Sequence, residues 1–180
     1  MSELTAEQLM IQDMARSFTR DIVRPAADRL DPVKGDIPRE IIDQMGELGL
    51  FGILIGEEHG GLGLGALEYC VVAEELARGW MSVASLIARG NALIGALKSL
   101  PDDKKDAYLP RMAAGEYLGA FALSEPNAGS DVASISCRAK KVGDDYEITG
   151  AKYWCTFADG ADFILVFART DEKVDPEKRH

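Results

Sequence analysis

The sequence has few of the residues that form metal centres and disulfide frameworks. Only two histidines and three cysteines occur in 180 residues. Cys70, Cys137 and Cys155 are odd in number, widely spaced and without CxxC spacing. Such a set supports neither a disulfide scaffold nor a histidine-based metal site. We therefore expect reduced thiols and no bound metal.

Long apolar runs and an excess of positive charge are also missing. The chain has no run of about eighteen apolar residues, which excludes a typical membrane-spanning helix. Its acidic opening, Met1 to Glu7, has neither the basic nor the apolar region of a secretory signal. The formal net charge of −10 opposes binding to nucleic acid phosphates. These features predict no membrane span, no nucleic acid partner and a cytoplasmic location.

What is present is a globular composition whose first part is patterned for helices. Hydrophobic residues make up 47% of the chain, enough for one core or two. Thr5 and Gln8 form a T-x-x-Q capping box at the start of the first helix, and Pro25 is expected to disrupt it. Apolar residues at helical spacing predict further helices that begin near Pro38, Leu67, Ser82 and Asp102, the last of which is expected to cap its helix. A bundle of about five helices follows from this pattern.

The second part of the chain is patterned for strands. Tyr117 to Leu123 and Phe163 to Phe167 predict buried strands. Ile135 to Val142 and Tyr146 to Thr149 predict a hairpin whose turn is Asp144-Asp145. Asp171 to His180 is charged and predicts a loop or a frayed end. The fold class is therefore α+β.

A polar turn follows the first predicted strand. In Leu123 to Asp131 (LSEPNAGSD), Pro126 and Gly129 break regular pairing and expose backbone N–H groups beside the hydroxyls of Ser124 and Ser130. Such a turn suits an anionic ligand. An ordinary β-turn, capped by serine and aspartate side chains, is an equally supported alternative for this stretch alone.

Two further motifs accompany the turn. Thr149 to Thr156 (TGAKYWCT) follows the predicted hairpin, and Glu58 to Gly65 (EHGGLGLG) is rich in glycine. The second lacks the G-x-G-x-x-G spacing of a dinucleotide fingerprint, and His59 within it is expected to be a turn residue, not a base. The three motifs, in their order along the chain, resemble those of the acyl-CoA dehydrogenase family.

The resemblance implies a two-part architecture. Residues 1–118 would form the family's N-terminal α-helical domain. Residues 119–180 would form the flavin-contacting opening of an incomplete antiparallel β-barrel-like middle domain. Nothing in these residues corresponds to the C-terminal helical bundle, which in most members carries the catalytic glutamate. No catalytic base is therefore assigned, and Glu125 is expected to be structural.

The resemblance also implies a function. It is FAD-dependent α,β-desaturation of an acyl-CoA thioester in fatty acid metabolism, with hydride transfer to the flavin. Electron-transferring flavoprotein would be the acceptor, and the full-length protein would be a homotetramer. The alternatives are a non-catalytic flavin- or CoA-binding subunit or fragment, and an acyl-CoA oxidase-like flavoenzyme of the same fold.

A set of flavin contacts comes from the same resemblance. Ser124 would hydrogen-bond the isoalloxazine, Ser130 would donate to the pyrophosphate or to the acyl-CoA substrate, and Trp154 would offer an aromatic face. In a strand, Tyr153 would point away from that face. Cys155 is given no redox role. The implied cofactor-binding residues are Phe121, Ala122, Leu123, Ser124, Gly129, Ser130, Trp154, Cys155 and Thr156.

Coenzyme A carries phosphates, so a chain of net charge −10 needs local positive charge to bind it. The candidates are Arg138, Lys140, Lys141 and Lys152. The alternative is that these are ordinary solvated residues of the surface.

Overall fold

Helices form the chain up to Leu118, and strands form the chain after it. The structure is a computed structural model that describes residues 4–97 and 100–171, with the backbone alone for residues 92–96. Two units divide between Leu118 and Gly119. Among the described residues, no helix is long and apolar enough to cross a membrane. The predicted α+β class is confirmed.

The first helix begins as its sequence predicts. Thr5 precedes α1 (Ala6–Phe18), and its Oγ1 accepts a hydrogen bond from Gln8 N at 3.2 Å. The Gln8 side chain accepts in return from Thr5 N at 2.9 Å. Both halves of the predicted capping box are therefore present.

The regular α-helix is interrupted before Pro25, as predicted, although the chain stays helical. The helical path continues through a π-helical turn (Thr19–Val23) into α2 (Arg24–Leu30). In the π turn, Arg24 N donates to Thr19 O, five residues back. This wider spacing places Pro25 in the first turn of α2, where no backbone N–H is needed.

The remaining helices of the first unit enclose its core. They are α3 (Arg39–Glu47), α4 (Ala66–Gly79), α5 (Met81–Leu97) and α6 (Asp102–Ala113), with short 3₁₀ turns at Asp31–Val33 and Glu57–His59. Asp102 does not cap α6 as predicted, because Pro101 occupies that position and Asp102 lies in the first turn. His59 lies in a turn, as expected. The largest fully buried side chains are Phe51, Met45, Leu50, Ile53, Ile55, Leu76 and Ile87.

Four short strands occur in the described part of the second unit. They are β1 (Gly119–Ala122), β2 (Arg138–Val142), β3 (Asp145–Thr149) and β4 (Phe163–Val166). The predicted hairpin is confirmed: β2 and β3 pair antiparallel, with Arg138 opposite Thr149. Its two turn residues are Gly143 and Asp144, with Gly143 at φ +63°, instead of the predicted Asp144-Asp145.

The pairing of β1 with β4 differs from the antiparallel arrangement that was expected throughout. These strands are parallel, with Gly119 opposite Phe163. Parallel neighbours need a long connection, and here residues 123–162 supply it. Both motifs of the second unit lie in that connection, and a hydrogen bond from Tyr153 N to Ser124 O brings the second motif beside the first one, just after β1.

The chain after β4 joins the hairpin to the other two strands. Arg169 N donates to Cys137 O at 2.8 Å, and Ala139 N donates to Arg169 O at 2.8 Å. The strand predicted from Ile135 begins only at Arg138, and residues 135–137 form a loop that follows a 3₁₀ turn (Val132–Ser134). The charged segment predicted from Asp171 lies outside the described residues after its first residue.

Candidate functional site

The polar turn after β1 is organised by one buried carboxylate. The Glu125 side chain is 3% exposed and accepts from Ser136 N at 2.6 Å, Ser136 Oγ at 2.7 Å and Cys137 N at 2.9 Å. Lys152 Nζ adds a salt bridge at 2.8 Å. Burial by itself would raise the pKa of Glu125, but hydrogen bonds from Lys152, Ser136 and Cys137 outweigh it and lower that pKa to about 2. Glu125 is therefore a fixed anion and is unsuited to accept a proton at neutral pH.

Lys152 connects the two motifs. Its side chain is 10% exposed, and besides the salt bridge its Nζ donates to Leu123 O at 2.9 Å. The next residue repeats the link, since Tyr153 N donates to Ser124 O at 2.8 Å. Lys152 is thus not the exposed cation for coenzyme A phosphates that was considered, whereas Arg138, Lys140 and Lys141 lie exposed on β2.

Trp154 combines high exposure with an unfavourable backbone. Trp154 is 87% exposed, and its backbone φ is +60°. A bulky residue in the left-handed region costs on the order of 1–3 kcal/mol, and such strain concentrates at ligand sites. The segment around it is not a strand, so the expected alternation of Tyr153 and Trp154 was wrong. Their rings instead meet edge to face, with centroids 6.5 Å apart.

The other residues implied as flavin contacts differ in exposure. Ala122 is buried, and its carbonyl oxygen accepts a hydrogen bond from Phe167 N. Gly129, Ser130 and Thr156 are exposed, while Phe121, Leu123, Ser124 and Cys155 are half-buried. Ser130 Oγ has no hydrogen-bond partner within residues 4–97 and 100–171.

Gly129 faces open space. A Cβ added there would meet no atom within 4 Å, and its φ lies outside the left-handed region. The fold therefore does not require glycine at this position. A ligand approaching the backbone closely would require it.

Sequence reasoning missed Arg169 and Ser136. Arg169 Nε donates to Ile135 O at 2.6 Å, and its Nη2 donates to Ala133 O. These bonds hold the loop whose N–H groups bind Glu125. The only sequence signal is a charged residue at the end of an apolar strand, which is too common to single out Arg169.

The described residues contain no cluster of three or more His, Cys, Asp or Glu side chains that could hold a metal ion. His59 Nδ1 lies 3.5 Å from Asp106 Oδ1 beside a cavity of about 220 Å³ in the helical unit. Because the neighbour of His59 is a carboxylate, this histidine has no nucleophile to activate as a general base.

Comparison with known proteins identifies both units. Residues 5–116 match the acyl-CoA dehydrogenase N-terminal domain, and residues 120–180 match the acyl-CoA dehydrogenase middle domain. The chain belongs to the acyl-CoA dehydrogenase family. Its two site motifs, Leu123 to Asp131 and Thr149 to Thr156, lie in the part that matches the middle domain.

Individual acyl-CoA dehydrogenases show the same relationship. The mitochondrial isovaleryl-CoA dehydrogenase of Arabidopsis thaliana is 41% identical over 171 residues, which are 93% of this chain and 42% of that protein. The crystal structure of glutaryl-CoA dehydrogenase from Mycobacterium smegmatis is 36% identical, with a TM-score of 0.87 over 94% of this chain and 44% of its own. A glutaryl-CoA dehydrogenase from the same organism in complex with FADH2 is 28% identical, with a TM-score of 0.87 over 93% of this chain and 44% of its own. The chain spans less than half the length of these relatives.

Proposed function

We propose that this chain supplies a flavin-contacting and acyl-CoA-contacting part of an FAD-dependent acyl-CoA dehydrogenase that desaturates its substrate at the α,β position. The observation that carries the proposal is Trp154, an exposed aromatic residue held at φ +60° directly after Tyr153, whose N donates to Ser124 O in the polar turn. Family membership and the FADH2 complex of a related glutaryl-CoA dehydrogenase support it.

The residues present fit a flavin. Trp154 offers a broad, solvent-facing ring for stacking, and Gly129 leaves room for close approach to the backbone. FAD, when bound, supplies the acceptor for the substrate hydride. Hydroxyl donors at Ser124 and Thr156 would stabilise negative charge on the ring.

Ser130 is proposed to donate to a pyrophosphate or to the acyl-CoA, because its hydroxyl is exposed and has no partner in the described part of the chain. Arg138, Lys140 and Lys141 are proposed to supply positive charge near coenzyme A phosphates. Cys155 is proposed to fill space beside Trp154. No residue of this chain is assigned as the base that removes the α-proton.

The acyl group, the acceptor and the assembly are finer proposals. The relatives named above act on isovaleryl and glutaryl thioesters, so the acyl group here is proposed only as a short one. Electron-transferring flavoprotein is proposed as the acceptor and a homotetramer as the assembly of the full-length protein. The cytoplasmic location stays a prediction, which cell fractionation checks.

Titration of the purified chain with FAD tests the proposal. We expect saturable binding that quenches Trp154 fluorescence, with Trp154→Phe retaining affinity better than Trp154→Ala because the aromatic face is kept. Absence of saturable FAD binding would contradict the proposal. Anaerobic addition of isovaleryl-CoA or glutaryl-CoA to a complex with the rest of the protein then separates a dehydrogenase, whose flavin bleaches, from a passive binder. Peroxide release in air would indicate an oxidase.

A further inference from the structure

We propose that Lys152 is a positioning residue, which fixes the backbone of Trp154 next to the end of β1 and so orients the aromatic face that meets the flavin. This inference rests on the proposed function, since its purpose is the flavin site. It concerns the geometry of the site and assigns Lys152 no contact with substrate or cofactor.

Lys152 is not the only donor to the Glu125 carboxylate. Ser136 N, Ser136 Oγ and Cys137 N already occupy both oxygens at 2.6–2.9 Å. What Lys152 adds is a connection between chain segments. Its Nζ joins this anion to Leu123 O at 2.9 Å, across a sequence separation of 29 residues.

Trp154 follows directly after two such connections. Lys152 Nζ contacts Leu123 O, and Tyr153 N contacts Ser124 O at 2.8 Å, so consecutive residues of one segment are tied to consecutive residues of the other. A left-handed backbone at a bulky residue relaxes unless its surroundings hold it. The Trp154 ring is too exposed to hold itself by packing. Thr156 N bonds to Trp154 O within the same segment, but the bonds that tie this segment to the end of β1 come from the two residues before Trp154, and Lys152 supplies the side-chain part.

The burial of the ion pair agrees with this role. Both side chains are at least nine-tenths buried, and buried ion pairs add little net stability because desolvation offsets their attraction. Their attested use is to select one arrangement of the chain over others. Here the arrangement selected is the contact between the two motifs.

The test measures amide hydrogen exchange and FAD affinity in the full chain for Lys152→Met. Lys104→Met is the control, because Lys104 is exposed on α6 and its loss removes the same charge. We expect the Tyr153 amide to exchange at least about tenfold faster in Lys152→Met, since its bond to Ser124 O opens more often. We expect the FAD Kd to rise about tenfold or more through lost preorganisation. Lys104→Met should match the unmodified chain in both, and Lys152→Arg should recover part of the Tyr153 protection.

Three outcomes would overturn the positioning role. They are an unchanged Tyr153 exchange rate, a faster rate without loss of FAD affinity, and equal loss of protection in the β2–β3 hairpin, which would make the pair a general structural element. If the unmodified chain binds no FAD, the proposed function fails. The amide exchange rate of Tyr153, compared with that of the β2–β3 hairpin, then decides by itself whether Lys152 orients this segment.

Discussion

Trp154 presents the clearest conflict between local preference and observed structure. An exposed indole gains little from burial, and a positive φ is unfavourable for it, yet both occur at this residue. The Trp154 side chain therefore contributes little to the stability of the fold, which is the reason for proposing it as a ligand contact. The same logic applies to Gly129, whose lack of a side chain serves no contact within the described residues.

Trp154→Ala is expected to weaken FAD binding by about 1–3 kcal/mol, the range for removing a large ring from an apolar contact. Tyr153→Ala should weaken it less, because Tyr153 contributes its backbone N–H to Ser124 and its ring only meets the edge of Trp154. Flavin fluorescence titrations of the two variants check this. Equal dissociation constants would remove Trp154 from the flavin site.

Ser130→Ala is expected to weaken ligand binding by about 1–3 kcal/mol while leaving the Tm of the apo-protein unchanged, because the hydroxyl makes no bond in the described residues. Ser134→Ala is the matched control in the same stretch of chain. Its hydroxyl donates to Asp131, so its loss should lower the Tm and leave ligand affinity intact. Calorimetry and FAD titration on both variants distinguish a ligand contact from a turn cap, and the reversed pattern would make Ser130 the cap.

Glu125 predicts an acid-sensitive second unit. Its pKa lies at about 2 in the folded chain, below its ordinary value of 4.5. A lowered folded pKa stabilises the fold at pH values above the unfolded pKa, and this contribution is lost as the pH falls from 4.5 toward 2. The free energy of unfolding, followed by urea titration over that range, should decrease more steeply in the unmodified chain than in Glu125→Gln. Parallel pH dependences in the two proteins would show that the carboxylate does not titrate in this way.

At the scale of elements, structures formed by residues close in sequence were predicted correctly, whereas the pairing of distant segments was not. The capping box at Thr5 and the β2–β3 hairpin involve neighbours in sequence, so their residues carry the information. The parallel pairing of β1 with β4 depends on where a connection of forty residues returns, which no local pattern encodes. Both site motifs were identifiable from sequence, but the bond between Glu125 and Lys152, 27 residues apart, became visible only in the fold.

The π turn before α2 makes a further prediction about packing. Gly79, the last residue of α4, lies against it, and an added Cβ would clash with Cγ2 of Thr19, a buried and stiff β-branched side chain. Gly79→Ala is therefore expected to lower the free energy of unfolding by about 1–3 kcal/mol. Gly90→Ala, inside α5, meets its nearest atom at an ordinary 3.8 Å and should raise it by about 0.5–1 kcal/mol. Chemical denaturation of both variants checks the difference, and a neutral Gly79→Ala would mean that the π turn adapts easily.

At the scale of the whole molecule, we expect FAD binding and turnover to be separable. Among the described residues, Glu125 is the one buried carboxylate of the candidate site. Its low pKa prevents it from acting as a base. The chain of residues 1–180 is therefore expected to bind FAD without turning over acyl-CoA.

Joining this chain to the C-terminal half of an isovaleryl-CoA dehydrogenase should restore turnover, because catalysis needs a base and a flavin aligned to within about 1 Å. Anaerobic flavin bleaching by isovaleryl-CoA and glutaryl-CoA, followed through several turnovers with an electron acceptor, compares the two proteins. Multiple turnovers by residues 1–180 alone would show that another carboxylate of this chain serves as the base.

The two tryptophans of the chain give each unit its own optical label. Trp80 is 5% exposed in the helical unit, with its Nε1 bonded to Asp31 Oδ1 at 2.9 Å, whereas Trp154 is 87% exposed in the strand unit. An indole in an apolar, hydrogen-bonded site emits at shorter wavelength than one in water, so the blue side of the spectrum follows unfolding of the helices. The red side is selectively quenched by acrylamide or by a stacked flavin. A single fluorescence experiment can thus follow the unfolding of the helical unit and the binding of flavin to the strand unit, without any attached dye.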